Sequence, residues 1–106
     1  MDIELVRHVC KTLKIVDVIK EYQKLEFDED LYYGNCPFHV TKGQKIKDLT
    51  VSPKKNIYYC FECHNNGDVL SYVAQKEQIT QAQALDFLCE KYQISLPKKV
   101  ILRVKK

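Results

Sequence analysis

Hydrophobic residues near the start of the chain recur at intervals of three and four, which is the period of a helix that buries one face. The residues that carry this pattern are Leu5, Val6, Val9, Cys10, Leu13, Ile15, Val18, Ile19 and Tyr22. The pattern predicts two short helices or one continuous helix, and Asp2 is available as an N-terminal cap.

The helical period returns in the C-terminal half of the chain. Gly67 and Asp68 predict a turn followed by a helix, because an aspartate side chain accepts hydrogen bonds from the free N–H groups of a first helical turn. Thr80 and Gln83 have the spacing of a capping box, which marks the start of a further helix. The apolar stripe of that helix, which we interpret as core, consists of Ala84, Leu85, Leu88, Cys89 and Tyr92.

Between these helical regions, apolar and polar residues alternate as they do in strands that bury one face. The predicted strands are centred on Leu25 and Phe27, on Leu49 and Val51, and on residues 57–59. Residues 52–56 have the composition of a turn between the last two strands. The acidic residues 28–30 are interpreted as a solvated turn rather than a magnesium site, since consecutive turn residues point in different directions.

Two short cysteine motifs lie within the strand region. Cys36 and His39 form a CxxH pair, and Cys60 and Cys63 form a CxxC pair. Zinc binds four such donors tetrahedrally, at about 2.3 Å to sulfur and about 2.0 Å to nitrogen. Because four protein donors leave no position for water, the sequence predicts one structural Zn2+ rather than a hydrolytic site.

Two alternatives remain, one for the metal and one for the histidine ligand. Iron in a four-cysteine cage competes with zinc, but the histidine favours zinc. His64 directly follows Cys63 and competes with His39, although the CxxH spacing favours His39. The remaining cysteines, Cys10 and Cys89, belong to the helical patterns and are expected to be small buried hydrophobic residues.

The predicted fold class is α+β, a small antiparallel zinc ribbon packed against N- and C-terminal helices. A chain of 106 residues, 45% of them hydrophobic, is expected to form one domain, and a metal often stabilises a core of this size. We expect the domain to span residues 1–97, with the ribbon at about residues 25–64. Residues 98–106 are expected to be a basic tail or linker.

Five cysteines without a signal-peptide pattern, and the lack of a long apolar run, predict a cytoplasmic protein that does not enter the membrane. The formal net charge is +3, but five of the 17 basic residues lie in the last ten positions. The rest of the chain carries 12 basic and 14 acidic residues, so any nucleic-acid site must be a local patch.

The ribbon segment contains such a patch. Single-stranded nucleic acid is bound by cations that contact phosphates and by flat rings that stack on bases. The candidate contact residues are Lys42, Lys45, Lys47, Lys54, Lys55, Tyr58, Tyr59 and Phe61. Alternation along a strand places Tyr58 and Tyr59 on opposite faces, so only one of them can face a ligand. The alternative is that the lysines only solvate the sheet and that both tyrosines are structural.

Five segments of the chain form an ordered set of motifs. They are IVDVIKEY at 15–22, YYGNCPFH at 32–39, VSP at 51–53, YYCFEC at 58–63 and GDV at 67–69. Together they resemble the N-terminal zinc-binding domain of bacterial DNA primases. The resemblance implies a zinc ribbon on flanking helices that engages single-stranded template DNA for RNA primer synthesis. It also implies that a separate downstream domain holds the catalytic magnesium site and that a third domain recruits the replicative helicase.

The chain departs from that family in two loops. Residues 40–49 form a longer segment than the family has after its CPFH motif, and HNN at 64–66 replaces small glycine-rich residues. These departures change the expected loop shapes but leave the four candidate ligands in place.

Two functional hypotheses follow. The chain has no nucleophile elbow and no glycine-rich phosphate loop, so no catalytic site is expected within it. One hypothesis is the DNA-binding zinc module of a primase, with single-stranded DNA, a primase catalytic domain in cis or in trans, or a replicative helicase as partners. The other is a free-standing, zinc-stabilised protein-interaction or regulatory module from a mobile element or phage.

Overall fold

The structure is a computed structural model that describes residues 3–39 and 47–94 of the chain. Its helices are α1 (Ile3–Thr12), α2 (Ile15–Lys20), α3 (Val69–Glu77) and α4 (Gln81–Lys91). Its strands are β1 (Glu26–Asp28), β2 (Leu31–Gly34), β3 (Leu49–Ser52), β4 (Ile57–Cys60) and β5 (Asn66–Gly67).

Some of the sequence predictions concern residues that the structure does not describe. The cap Asp2, the lysines Lys42 and Lys45, and the basic tail at 98–106 are among them. Of the described helices, none is long and apolar enough to cross a membrane.

The five strands form one antiparallel sheet in the order β1-β2-β3-β4-β5. The hydrophobic pattern predicts β1, β3 and β4, whereas β2 and β5 emerge only in the structure. β2 has three consecutive apolar residues without alternation, and β5 has only two residues, so neither has a readable period. The α+β zinc-ribbon fold class is confirmed.

The register of the sheet brings the two cysteine motifs together. Leu49 pairs with Gly34 on one side and with Cys60 on the other. The end of β2, the start of β3 and the end of β4 therefore lie side by side at one end of the sheet. Because the CxxH motif follows β2 and the CxxC motif begins in β4, both motifs leave the sheet side by side.

One face of the sheet packs against the helices and forms the core with them. Val51 and Tyr58 are fully buried on this face. The ring of Tyr58 meets the buried ring of Tyr72 from α3 edge-on, with the centroids 5.6 Å apart. Phe38, inside the CxxH motif, also packs edge-on against Tyr72 at 5.3 Å. The metal-binding loop is thus attached directly to the helical core.

The first helical pattern forms two helices because a side chain from the β3–β4 turn occupies the break between them. Asn56 Nδ2 donates hydrogen bonds to the carbonyl oxygens of Cys10 and Leu13, at 2.6 and 2.9 Å. Asn56 Oδ1 accepts from the N–H of Ile15 at 2.8 Å. These bonds satisfy backbone groups that the end of α1 and the start of α2 would leave unpaired.

The two later helices have the predicted caps. The Asp68 carboxylate accepts from the N–H of Ser71 at the start of α3. Thr80 and Gln83 form the reciprocal capping box at the start of α4. Between these helices, Gln78 ends α3 in the left-handed conformation, with φ of 58°.

Candidate metal centre and adjacent surface

Four donor groups gather where the two cysteine motifs leave the sheet. They belong to Cys36, His39, Cys60 and Cys63, and they lie within 4.8 Å of one another. The Sγ atoms of Cys36 and Cys63 are 3.9 Å apart. That distance is close to the edge of about 3.8 Å in a tetrahedron with zinc–sulfur bonds of about 2.3 Å. The donor set therefore fits one structural Zn2+.

The cysteine sulfurs receive hydrogen bonds from the backbone of their own motifs. The N–H of Phe38 points to Cys36 Sγ at 3.4 Å. The N–H groups of Glu62 and Cys63 point to Cys60 Sγ at 3.3 and 3.4 Å. Three thiolates around a divalent ion leave an excess of negative charge, which such N–H donors offset. Burial raises the pKa of the Cys36 thiol to about 12, so metal binding must displace a proton there.

Asp48 adjoins the centre and is not among the residues that sequence reasoning selects. Its Oδ1 accepts from the N–H of Cys36 at 2.9 Å, and its Oδ2 lies 2.7 Å from His39 Nε2. Burial alone would raise the pKa of Asp48, but hydrogen bonds from Cys36 and His39 hold that pKa below its ordinary value. No sequence signal identifies this role, because an aspartate beside a lysine-rich loop reads as one more surface charge.

His64 is absent from the donor cluster. Its backbone is left-handed, with φ of 62°, and its Nδ1 lies 2.7 Å from the Tyr59 hydroxyl. His39 therefore lies among the cysteines as the spacing predicts, whereas His64 lies on the surface beside an aromatic ring.

Cys10 and Cys89 lie away from the cluster and are half-buried against the core. Burial raises the pKa of Cys10 to about 12, and the nearby Asp68 carboxylate acts in the same direction. Burial also raises the pKa of Cys89. Both thiols are therefore predominantly protonated near neutral pH.

The prediction that Tyr58 contacts nucleic acid does not fit the structure, because the Tyr58 side chain is fully buried. Its hydroxyl donates to Asn65 Oδ1 at 2.7 Å and accepts from Gln75 Nε2 at 2.8 Å. Tyr59 is the tyrosine on the outer face. Its ring lies 5.2 Å from that of Phe61, and the Phe61 side chain is 63% exposed.

The outer face of the sheet carries a row of half-exposed side chains that the sequence pattern does not reveal. Strand pairing aligns Tyr33 with Thr50, and Thr50 with Tyr59. Thr50 Oγ1 is buried and has no hydrogen-bond partner within residues 3–39 and 47–94. Tyr33 is missed by sequence reasoning because β2 lacks an alternating pattern.

The three described candidate lysines do not form one patch. Lys47 forms an ion pair with Glu26 at the β1 edge of the sheet. Lys54 and Lys55 are exposed in the β3–β4 turn. Lys54 lines a surface cavity of about 500 Å3 together with residues that include Lys14 and Tyr32.

An antiparallel ribbon with this Cys-His-Cys-Cys donor set defines a structural zinc-ribbon protein. The family model described as the CHC2 zinc finger matches residues 1–103. The chain therefore belongs to the CHC2 zinc finger family, and the prediction of one structural zinc is confirmed.

Its relatives include DNA primases of several bacteria. A DNA primase of Halalkalibacterium halodurans is 33% identical over 102 residues, which cover 96% of this chain and 16% of that protein. A DNA primase of Borreliella burgdorferi is 38% identical over 77 residues, or 73% of this chain and 14% of that protein. The chain thus spans only a small part of the primases it matches.

A solved structure shares the fold. The crystal structure of the Aquifex aeolicus primase, containing its zinc-binding and RNA polymerase domains, superposes with a TM-score of 0.79 at 32% identity. The match covers 100% of this chain and 24% of the Aquifex chain. The resemblance to primase zinc-binding domains is therefore confirmed.

Proposed function

We propose that the chain is the DNA-binding zinc module of a bacterial-type DNA primase. In this role it engages single-stranded template DNA in the cytoplasm, while a catalytic domain outside these residues makes the RNA primer. Membership of the CHC2 family supports the proposal, and so does the pair of outward-facing rings next to the metal centre.

Tyr59 and Phe61 carry the proposed stacking surface. They flank the metal ligand Cys60, so binding of Cys60 to the metal limits the movement of the backbone that carries both rings. Phe61 is 63% exposed, although a large apolar side chain is normally buried where it can be. Stacking on a base would remove this ring from water, and each stacked base contributes about 1–3 kcal/mol.

The phosphates of a bound strand need cations within reach of these rings. Lys54 and Lys55 are exposed in the β3–β4 turn, at the end of the hairpin opposite to Phe61, so a bound strand would have to run along the hairpin to contact both. Lys47 is partly neutralised by Glu26, so it contributes less.

The proposed partners are single-stranded DNA and the remainder of a primase. The chain spans only a small share of its relatives' length, which supports the proposal that DNA binding and catalysis belong to separate domains. A primase catalytic domain, in cis or in trans, would carry out the chemistry, and a replicative helicase is a further proposed partner. The proposed module extends over residues 1–97, followed by a basic linker or tail.

Fluorescence anisotropy with labelled single-stranded oligonucleotides, measured over a range of salt concentrations, tests the proposal. Phe61→Ala is expected to weaken binding about 5-fold or more, because it removes one stacking ring. The matched control is Phe27→Ala, since Phe27 is similarly exposed at 61% but lies on β1 at the far edge of the sheet.

Charge reversal tests the phosphate contacts separately. The double variant Lys54→Glu with Lys55→Glu is expected to weaken binding and to reduce the salt slope by about 1–2, as two phosphate contacts are lost. Lys11→Glu with Lys76→Glu, on the exposed surfaces of α1 and α3, is the control of equal charge change. Wild-type protein that shows no salt-dependent binding to DNA would favour the protein-interaction module instead.

A further inference from the structure

Strand β1 forms one edge of the sheet, and all three of its residues, Glu26, Phe27 and Asp28, are exposed. It pairs with β2 on one side and comes first in the strand order, so no strand within residues 3–39 and 47–94 lies on its other side. Hydrogen-bonded and non-hydrogen-bonded pairs alternate along an antiparallel ladder, so such an edge presents unpaired N–H and C=O groups. The edge of β1 can therefore accept one more strand.

The two faces of β1 differ in their chemistry. The ring of Phe27 packs on that of Tyr32 with the centroids 4.9 Å apart, yet Phe27 remains largely in contact with water. Glu26 and Asp28 point to the opposite face, because side chains alternate along a strand. An added strand would fit this edge if it placed apolar residues beside Phe27 and basic residues beside the two carboxylates.

The surface around β1 is acidic. Glu29 and Asp30 form the exposed turn that leads from β1 to β2. Like Asp28, they form no ion pair with another residue of the described part of the chain, whereas Glu26 pairs with Lys47. A strand that brings positive charge to this edge is therefore favoured electrostatically.

The basic tail at 98–106, which lies outside the described residues, has the complementary pattern. Alternate positions in it are apolar, and they are Val100, Leu102 and Val104. The positions between and beside them are mostly basic, namely Lys99, Ile101, Arg103 and Lys105. Such alternation is typical of a strand with one apolar and one basic face, and valine and isoleucine favour strands.

The end of α4 lies close enough to β1 for the tail to reach this edge. Lys91 Nζ lies 3.0 Å from a carboxylate oxygen of Glu21, which ties the end of α4 to the end of α2. β1 begins five residues later, at Glu26, so it starts at most about 18 Å from Glu21, since an extended chain covers about 3.3–3.6 Å per residue. From Ile94 to Leu102 the chain can extend by about 27 Å, which is enough to bring the apolar positions of the tail to the edge.

We propose that residues 98–106 pair with β1 of the same chain as an additional edge strand. The apolar positions of the tail lie beside Phe27, and its basic positions lie beside Glu26 and Asp28. This pairing covers the exposed ring, neutralises the acidic edge and removes an open strand edge, which otherwise invites association with other chains. The inference rests on the sheet edge and the tail pattern, and it does not depend on DNA binding.

Backbone hydrogen exchange, followed by 1H–15N NMR on the zinc-loaded chain, tests the pairing from the side of the tail. The amides of β1 are expected to exchange about 10-fold or more faster in Leu102→Lys than in wild type, because the new charge lies beside Phe27 and releases the tail. Ile101→Lys is the matched control, since it makes the same charge change one position away on the basic face and should keep wild-type exchange. Equal exchange in all three proteins, or an equal increase in both variants, would overturn the proposal.

Charge reversal on β1 tests the pairing from the other side. Asp28→Lys is expected to release the tail, so the amide resonance of Leu102 should move to its random-coil position. Asp86→Lys, on the exposed face of α4, makes the same charge change and should leave that resonance where it is in wild type. A Leu102 resonance at its random-coil position already in wild type would contradict the proposal. Protection of β1 that rises with protein concentration would also contradict it, because the tail would then come from a second copy of the chain.

Discussion

At the scale of single residues, Asn56 makes the most concentrated set of contacts in the β3–β4 turn. It forms three hydrogen bonds with backbone groups at the α1–α2 break, and its own φ of 59° is left-handed. Buried backbone groups that lose their partners cost about 1–3 kcal/mol. We expect Asn56→Ala to lower the free energy of unfolding by about 3 kcal/mol or more, as measured by urea denaturation.

Asn56→Gly separates the contribution of the side-chain hydrogen bonds from the cost of the left-handed backbone at this position. Glycine also lacks the three hydrogen bonds, but it adopts positive φ without the penalty of about 1–2 kcal/mol that a Cβ atom imposes. The glycine variant is therefore expected to be more stable than the alanine variant and less stable than wild type. A glycine variant as stable as wild type would mean that the hydrogen bonds to α1 and α2 contribute little.

The five cysteines are expected to differ in reactivity according to their surroundings. Zinc protects three of them, and the raised pKa values of Cys10 and Cys89 keep their thiols protonated and unreactive at pH 8. A thiol-reactive dye at pH 8 should thus label the zinc-loaded protein slowly at every cysteine. A strong chelator should release fast-reacting thiols, beginning with the exposed Cys63.

The double variant Cys10→Ala with Cys89→Ala identifies the source of any labelling. It should match the wild-type chain while zinc is bound, since neither residue is expected to react quickly. Two thiols that react rapidly in zinc-loaded wild type but not in the double variant would contradict the assigned protection of Cys10 and Cys89.

Sequence reasoning reaches the metal ligands but not Asp48, whose carboxylate contacts two of them. Cys36 and His39 are found because their separation of three residues is set by the geometry of one turn. Asp48 is twelve residues from Cys36, and its contact with the motif depends on how β2 and β3 pair. Alternation shows that one of Tyr58 and Tyr59 is buried, but only the position of the helices shows that it is Tyr58.

At the scale of elements, α3 ends at a glutamine, Gln78, whose backbone conformation favours glycine. Gln78 is exposed and left-handed, and its N–H bonds to the carbonyl of Ala74. Glycine keeps this backbone bond and removes the Cβ penalty, which outweighs the entropy that glycine adds to the unfolded chain. We expect Gln78→Gly to raise the free energy of unfolding by about 0.5–1 kcal/mol in denaturant titrations.

Lys76 supplies the matched control, two residues earlier in the same helix. It is exposed but has ordinary helical geometry, so Lys76→Gly is expected to destabilise the protein by about 1 kcal/mol. Opposite signs for the two substitutions would show that the backbone conformation, rather than the loss of a side chain, determines the effect. A destabilising Gln78→Gly would contradict the left-handed cap.

The elements themselves were predictable wherever local rules determine them. The capping residues Asp68 and Thr80 and the apolar stripe of α4 belong to this group, because their hydrogen bonds or spacing lie within one or two turns. The break between α1 and α2 was ambiguous because its stabilising partner, Asn56, is more than forty residues away along the chain. β5 exists only because Tyr58 and Tyr59 offer it an edge to pair with.

At the scale of the whole molecule, the ribbon and the helices share one core. The rings of Phe38, Tyr58 and Tyr72 form a continuous contact from the CxxH motif through β4 to α3. The ligands Cys36 and Cys60 are themselves buried in this core, at 4% and 0% exposure. Loss of the metal would therefore disturb the interior of the protein as well as its loops.

Removal of zinc is consequently expected to unfold the chain cooperatively. Structural zinc contributes an apparent binding free energy of about 10–16 kcal/mol in small zinc domains. The total stability of a domain is about 5–15 kcal/mol, so little would remain without the metal. Circular dichroism with a strong chelator should show joint loss of helix and sheet, and restored Zn2+ should recover both. Added Mg2+ should not, because it prefers oxygen donors. An unchanged thermal melt after verified loss of zinc would contradict the structural role, whereas loss of sheet alone would mean that the helices hold their own core.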